Sequence, residues 1–183
     1  MSPKFLRLTL LLGLAASSSF AQAADFTVST NSQVDGRFPL AQFGKVLDCT
    51  GDNLSPQIAW QGAPQGTKSF AVTMYDPDAP TGSGWWHWAL ANIPAEVTAL
   101  KEGASTQDGA MPTGAVQVRG DNGLPGYAGI CPPVGRPHNY VITVHALKVD
   151  RLDLPPTITP AMLGLMTLRT GLAKASLTIK GSR

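Results

Sequence analysis

The sequence runs to 183 residues with 43% apolar content, 19 Gly and 15 Pro, a composition that excludes both a disordered chain and a long helical bundle or coiled coil. Its 14 Lys and Arg face 12 Asp and Glu, and two of the cations, Lys4 and Arg7, fall in the first 23 residues, where there is no acid. The rest of the chain is charge-balanced, which removes the basic footprint of a nucleic-acid binder.

Residues 1–23 read as a signal peptide. Lys4 and Arg7 make a short positive region, 6–16 is apolar apart from Arg7, Thr9 and Gly13, and Ala21-Gln22-Ala23 supplies a small-x-small cleavage pattern. A membrane anchor is the alternative, but this apolar core is about half of the roughly 20 residues needed to span a bilayer. Cleavage, a single domain over 24–183 and a periplasmic or secreted location are therefore expected. Export also permits a disulfide, and the chain's two Cys are Cys49 and Cys131. Two thiols alone in an oxidising compartment are expected to pair, the alternative being two separately buried thiols that act as small apolar residues.

Beyond the leader, Gly, Pro, Asn and Asp clusters recur every ten or so residues and separate short runs at 58–60, 69–75, 86–93, 116–118 and 140–149. That spacing predicts an all-β sandwich or barrel. The runs 70–75 and 141–147 are nearly continuous apolar stretches, predicted as central strands buried on both faces. One helix is predicted to begin at Thr159, a suitable N-cap, with Pro160 in the first helical position. Ala161, Leu165, Leu168 and Leu172 recur there at helical spacing and are expected to face the core. Residues 176–180 read as a last strand or extended tail.

Two of the three His sit in unusual sequence. An apolar strand runs into Asp76, the turn Pro77-Asp78-Ala79-Pro80 follows, and a Trp-rich strand returns carrying His87. The second segment, 126–140, is rich in Gly and Pro and ends in His138, Asn139 and Tyr140. The two-residue period of a strand places Asp76 in register with Phe70, Val72 and Met74, and His138 with Tyr140, Ile142 and Val144. It places His87 with Ala89, Ala91 and Ile93. Each strand thus carries polar groups at its mouth, and a pocket capping the end of a β core would gather Asp76, His87, His138 and Tyr140. Two imidazoles and a phenol supply donors, a carboxylate can hold one imidazole in a chosen tautomer, and glycine-rich loops can turn backbone N–H groups toward an anion. The set suits a phosphate-like group. His145 lies on the opposite strand face and reads as a packing residue, Trp60 and Met74 as core.

These segments resemble the signature regions of the phosphatidylethanolamine-binding protein family, in its bacterial Raf-kinase-inhibitor-like branch. The motifs are DPDAP at 76–80, WWHW at 85–88 and GYAGICPPVGRPHNY at 126–140, with NLSPQIAW at 53–60. The resemblance implies a mostly β fold, a β-sandwich around a large central sheet with a few short helices and one C-terminal helix. It also implies an anion pocket at Asp76, His87, His138 and Tyr140, with Gly129 and Pro132 on its rim. The expected ligand is a small anion or phosphorylated head group, without cofactor, metal or catalysis. A regulatory role through an extracytoplasmic protein partner, a protease or host protein, is expected too.

The alternative is a metal-dependent enzyme. Asp76, His87 and His138 match the inventory of a two-His-one-carboxylate site, whereas Ser83 lacks the surroundings of a nucleophile elbow. Stable membrane association is not expected from a neutral chain without an amphipathic basic helix.

Overall fold

The computed structural model describes residues 25–106 and 111–183; the leader expected over 1–23 lies outside them. In chain order the elements are β1 (Thr27–Ser29), β2 (Ile58–Gln61), β3 (Ser69–Asp76), β4 (Trp85–Pro94), β5 (Ala99–Leu100), β6 (Val116–Val118), β7 (His138–Leu147), α1 (Pro160–Thr170) and β8 (Gly171–Gly181). A five-stranded antiparallel sheet runs β6-β4-β3-β7-β8, and a smaller one runs β1-β2-β5. The main core fills the space between them, with Phe70, Val72 and Met74 of β3, Trp88 and Leu90 of β4 and Ile142 and Val144 of β7 against Ile58 and Trp60 of β2. The other face of the large sheet presents Ala71, Ala89 and Ala91, and α1 packs on that flat floor through Leu163. Small residues there let the helix approach closely.

The helix starts as expected, with the Thr159 hydroxyl accepting from Met162 N and Pro160 at its first position. Its buried face is a correction. Pro160, Leu163 and Thr167 are inward, while Leu165 is 43% and Leu168 80% exposed. At about 100° per residue the two stripes point to opposite sides of the helix. The roll is set by the ends rather than by the number of leucines. Ile158, just before the cap, is buried in the same cluster. At the other end the helix stops at Thr170, and Gly171 donates its N–H to Thr167 O as the chain turns into β8. Leu172 is therefore a strand residue. Leu163→Ala should destabilise the protein by about 3 kcal/mol, as a buried leucine truncation does, and Leu168→Ala should shift it by less than about 0.5 kcal/mol. Urea denaturation of both variants checks the assignment, and the reverse order would restore the leucine stripe.

Two further expectations change. β3 is buried nearly throughout, but β7 alternates, with Val141, Thr143 and His145 only half-buried. This outer face abuts the solvent-facing Thr178, Ser176 and Lys174 of β8 across the ladder. The second change concerns β4. Met74 pairs with Trp88 but Tyr75 with Trp86, so His87 is an extra residue in the strand, a β-bulge. A second irregularity sets Ala91 and Asn92 against Ala71, with Asn92 at a φ of 58°. Ala89 and Ala91 face the helix while Ile93 lies in the main core. The strict alternation grouping His87 with Ala89, Ala91 and Ile93 thus fails at both bulges.

Candidate functional site

The C-terminal end of β3 and the start of β7 are neighbours in the sheet, and this pairing builds the site. Asp76 closes β3 and is 3% exposed; its Oδ2 accepts from His138 Nδ1 at 2.7 Å and its Oδ1 from Asp78 N at 2.9 Å. Asp78 in turn accepts from Asn139 N and Nδ2 at 2.7 and 2.9 Å, which ties the proline-rich turn to the first residues of β7. Gly84 lets β4 return beside them. Its φ is +69°, and a Cβ there would lie 2.2 Å from the Tyr75 hydroxyl, so only glycine fits.

His87 is fixed by a reciprocal clamp. Its Nδ1 lies 2.7 Å from Ala128 O, and Ala128 N donates to His87 O at 2.8 Å. A carbonyl only accepts, so the proton is on Nδ1. The His87 ring packs edge-on against Tyr140, with centroids 5.3 Å apart, and His138 stands 6.4 Å from the same phenol. Asp76, His87, His138 and Tyr140 thereby converge on one cavity of about 780 Å³. Both imidazoles are largely buried, yet the sealed side-chain polar atoms without a partner among the described residues are Gln42 Oε1 and Trp60 Nε1. Each Nε2, without a partner among the described residues, therefore opens on the cavity that both rings line.

Burial is the main influence on these groups. It pushes the His87 imidazole below its ordinary value, against the opposing pull of Ala128 O, Asp76 and Asp121. It also raises the Tyr140 phenol well above its usual range, helped by Asp76, so this hydroxyl stays protonated and can donate. His145, across the sheet beside Lys174, is pushed down to about 4 by burial and then by that lysine. It takes no part in the cavity.

Gly129 lines the cavity, but its role differs from an anion-binding amide. Its N–H donates to Asn53 Oδ1 at 2.7 Å, and a Cβ would lie 2.4 Å from Gly44 N. The neighbouring amides are spent as well: Tyr127 N on Ser105 Oγ, Ala128 N on His87 O and Ile130 N on Gln42 O. The polar floor is thus made by side chains rather than by a nest of backbone donors. Pro132 lies outside the lining, its carbonyl turned to Arg183 Nε at 2.7 Å, while Cys131 and Pro133 on either side do line the cavity. Cys131 is bonded to Cys49, which fastens the rim to the 44–51 loop. Lys45 in that loop contributes a cationic side chain to the cavity wall.

Sequence reasoning missed Lys45, Trp85 and Tyr127 in the lining. Tyr127 and Trp85 stood inside the quoted motifs, and their aromatic character was the available signal. The Ala128 carbonyl carried no signal in its side chain. No group of three or more His, Cys, Asp or Glu among the described residues is arranged to hold a metal ion. Asp76 is turned to His138 and the turn rather than to a shared point with both imidazoles.

The sequence profile described as phosphatidylethanolamine-binding protein matches residues 28–182, which take in both sheets, α1 and the whole cavity floor. The chain belongs to the phosphatidylethanolamine-binding protein family. Among its relatives in this family, Escherichia coli K12 YbcL is 47% identical over 161 residues, covering 86% of this chain and 88% of YbcL. YbhB of the same organism is 51% identical over 128 residues, 70% of this chain and 81% of YbhB. The crystal structure of E. coli YbcL, described as a new member of the mammalian PEBP family, matches this fold with a TM-score of 0.82 at 44% identity. It covers 87% of this chain and 99% of that one. The mostly β architecture with a C-terminal helix is that of the family.

Proposed function

We propose that this member of the phosphatidylethanolamine-binding protein family is an exported binding protein that holds a small anion, a phosphate or phosphorylated head group foremost, on the floor of its cavity. The observation that carries this reading is the convergence of two imidazole Nε2 atoms and a protonated phenol on one cavity, each ring held from behind by Ala128 O or Asp76. Convergent polar groups in a formed, mostly apolar pocket are the hallmark of a ligand site. A cavity of about 780 Å³ leaves space above the floor for the rest of a larger ligand or for a side chain of a protein partner, such as an extracytoplasmic protease. Export draws its support from the leader in the sequence and from the Cys49–Cys131 bridge, which persists in an oxidising compartment.

A binding role is favoured over catalysis by the state of the nearby hydroxyls. Ser105 at the cavity donates to Gln117 Oε1 and accepts from Tyr127 N, so it is not paired with either imidazole. Asp76 is engaged by His138 and Asp78, and no group of three His, Cys, Asp or Glu among the described residues is arranged to hold a metal ion.

Calorimetric titration of the protein lacking residues 1–23 with phosphate and phosphorylethanolamine tests the reading. His87→Ala and His138→Ala should each weaken binding by about 10- to 100-fold, the worth of one strong hydrogen bond to an ionised group. Wild-type protein that binds neither anion would reject it.

A further inference from the structure

We propose that the cavity floor selects an oxyanion that still carries a hydroxyl, such as inorganic phosphate or a phosphomonoester as its monoanion, and rejects sulfate and phosphodiesters, because His87 presents a lone pair to the ligand. This rests on the anion-site reading above and adds to it the protonation state of the bound group.

As the extra residue of β4, His87 has no partner on β3, and its main-chain carbonyl and its ring both turn to Ala128. The pairing fixes the ring orientation and places the proton on Nδ1. The neutral imidazole then has its acceptor at Nε2, the atom that opens on the cavity. To become a donor there the ring must take up a second proton. The groups that face it are Asp76 from β3, His138 and Tyr140 from β7, and Asp121 from the loop after β6. Both carboxylates favour a second proton and His138 opposes it, but burial outweighs the carboxylates and disfavours the charged ring.

The opposite wall has the complementary character. Tyr140 offers an O–H, and Asp76 holds the neighbouring His138 ring in place through Nδ1. A ligand that satisfies both walls must therefore accept from Tyr140 and donate to His87. A phosphomonoester loses its second proton near pH 6, so its monoanion has both a P–OH and P–O⁻ oxygens. Sulfate has no proton to give in this range, and a phosphodiester has ester groups where the hydroxyl would be. Either would set an oxygen lone pair against that of His87, a buried ring whose unpaired acceptor is costly. A site built to meet a hydroxyl discriminates strongly against analogues without one.

The test titrates the protein lacking residues 1–23 with methyl phosphate, dimethyl phosphate and sulfate at about pH 6, where the monoester monoanion is well populated. Methyl phosphate should bind about 100-fold more tightly than either of the others. Dimethyl phosphate stands for the diester of a lipid head group, and methyl phosphate for a free phosphorylated metabolite or phosphorylated side chain. Comparable affinity for all three would overturn the selectivity and leave the anion site standing. No binding of any would overturn both. His87→Gln puts an amide N–H₂ at this wall, so sulfate affinity should rise and the preference fall below about 5-fold. The ¹⁵N shifts of His87 provide a reading independent of that variant's folding. They should show a neutral ring protonated at Nδ1 in the free protein and in the methyl phosphate complex, and a doubly protonated ring in the complex would overturn the proposal.

Discussion

Replacing Cys49 and Cys131 together by alanine should lower the unfolding free energy by about 4 kcal/mol, the loop-closure value for a bridge of this span. The bonded residues are 82 positions apart with Cα atoms 5.9 Å from each other. Cutting the bridge returns that closure entropy to the unfolded chain. The loss should also appear locally. The 44–51 loop meets the cavity rim through the bridge, through Gly44 N to Ile130 O at 2.9 Å, and through Arg183, which donates to both Pro132 O and Asp48 O. Without the bridge these hydrogen bonds hold the rim alone. Urea denaturation of the oxidised, reduced and double-alanine proteins measures the effect. The last two should agree, and a shift below about 1 kcal/mol for both would show that the bridge contributes little to stability.

Asp76→Ala should cost about 3 kcal/mol of stability and remove anion binding at the same time. The carboxylate accepts from two donors, His138 Nδ1 and Asp78 N, and is itself almost wholly buried. Alanine leaves both unsatisfied, at about 1–3 kcal/mol each. It also removes the carboxylate that fixes the proton on His138 Nδ1, so the tautomer and orientation of this ring at the cavity are no longer set. Asp76→Asn separates the two effects. Its single carbonyl oxygen can still accept from His138, so stability should recover in part while affinity stays reduced by at least about 10-fold. Thermal melts and calorimetry on both variants check this. Full anion affinity in Asp76→Ala would remove the aspartate from the site.

The site was partly legible in the sequence because strand periodicity carries over directly to side-chain direction. His138 and Tyr140 continue the inward face of Ile142 and Val144, and Asp76 that of Met74, and these three share the cavity. His87 is the instructive exception. Alternation groups it with the alanines beneath the helix, and only the unpaired position between Trp86 and Trp88 turns it to the other side. A bulge is a property of two strands in register, so one strand's sequence does not reveal it. The amides of 127–130 were equally hidden. Glycine there suggests open N–H groups, but Gly129 is needed because Gly44 packs against it, and its N–H is taken by Asn53. The helix face was misread for a related reason. Leucine spacing marks two stripes on α1, and Ile158 before it and Gly171 after it decide which one meets the sheet.

The pairing of β3 with β7 also governs when the site comes into being. Asp76 and His87 belong to one hairpin, β3 and β4, that the chain can form from contacts close in sequence. His138 reaches Asp76 only after 62 residues have been closed into a loop, and it arrives on a strand lying on the far side of β3 from β4. Closing such a loop is an entropic barrier that must be crossed before its contacts can reward it. The Asp76–His138 contact is thus the long-range closure that joins the two halves of the pocket, and it serves as a marker that β7 has paired with β3.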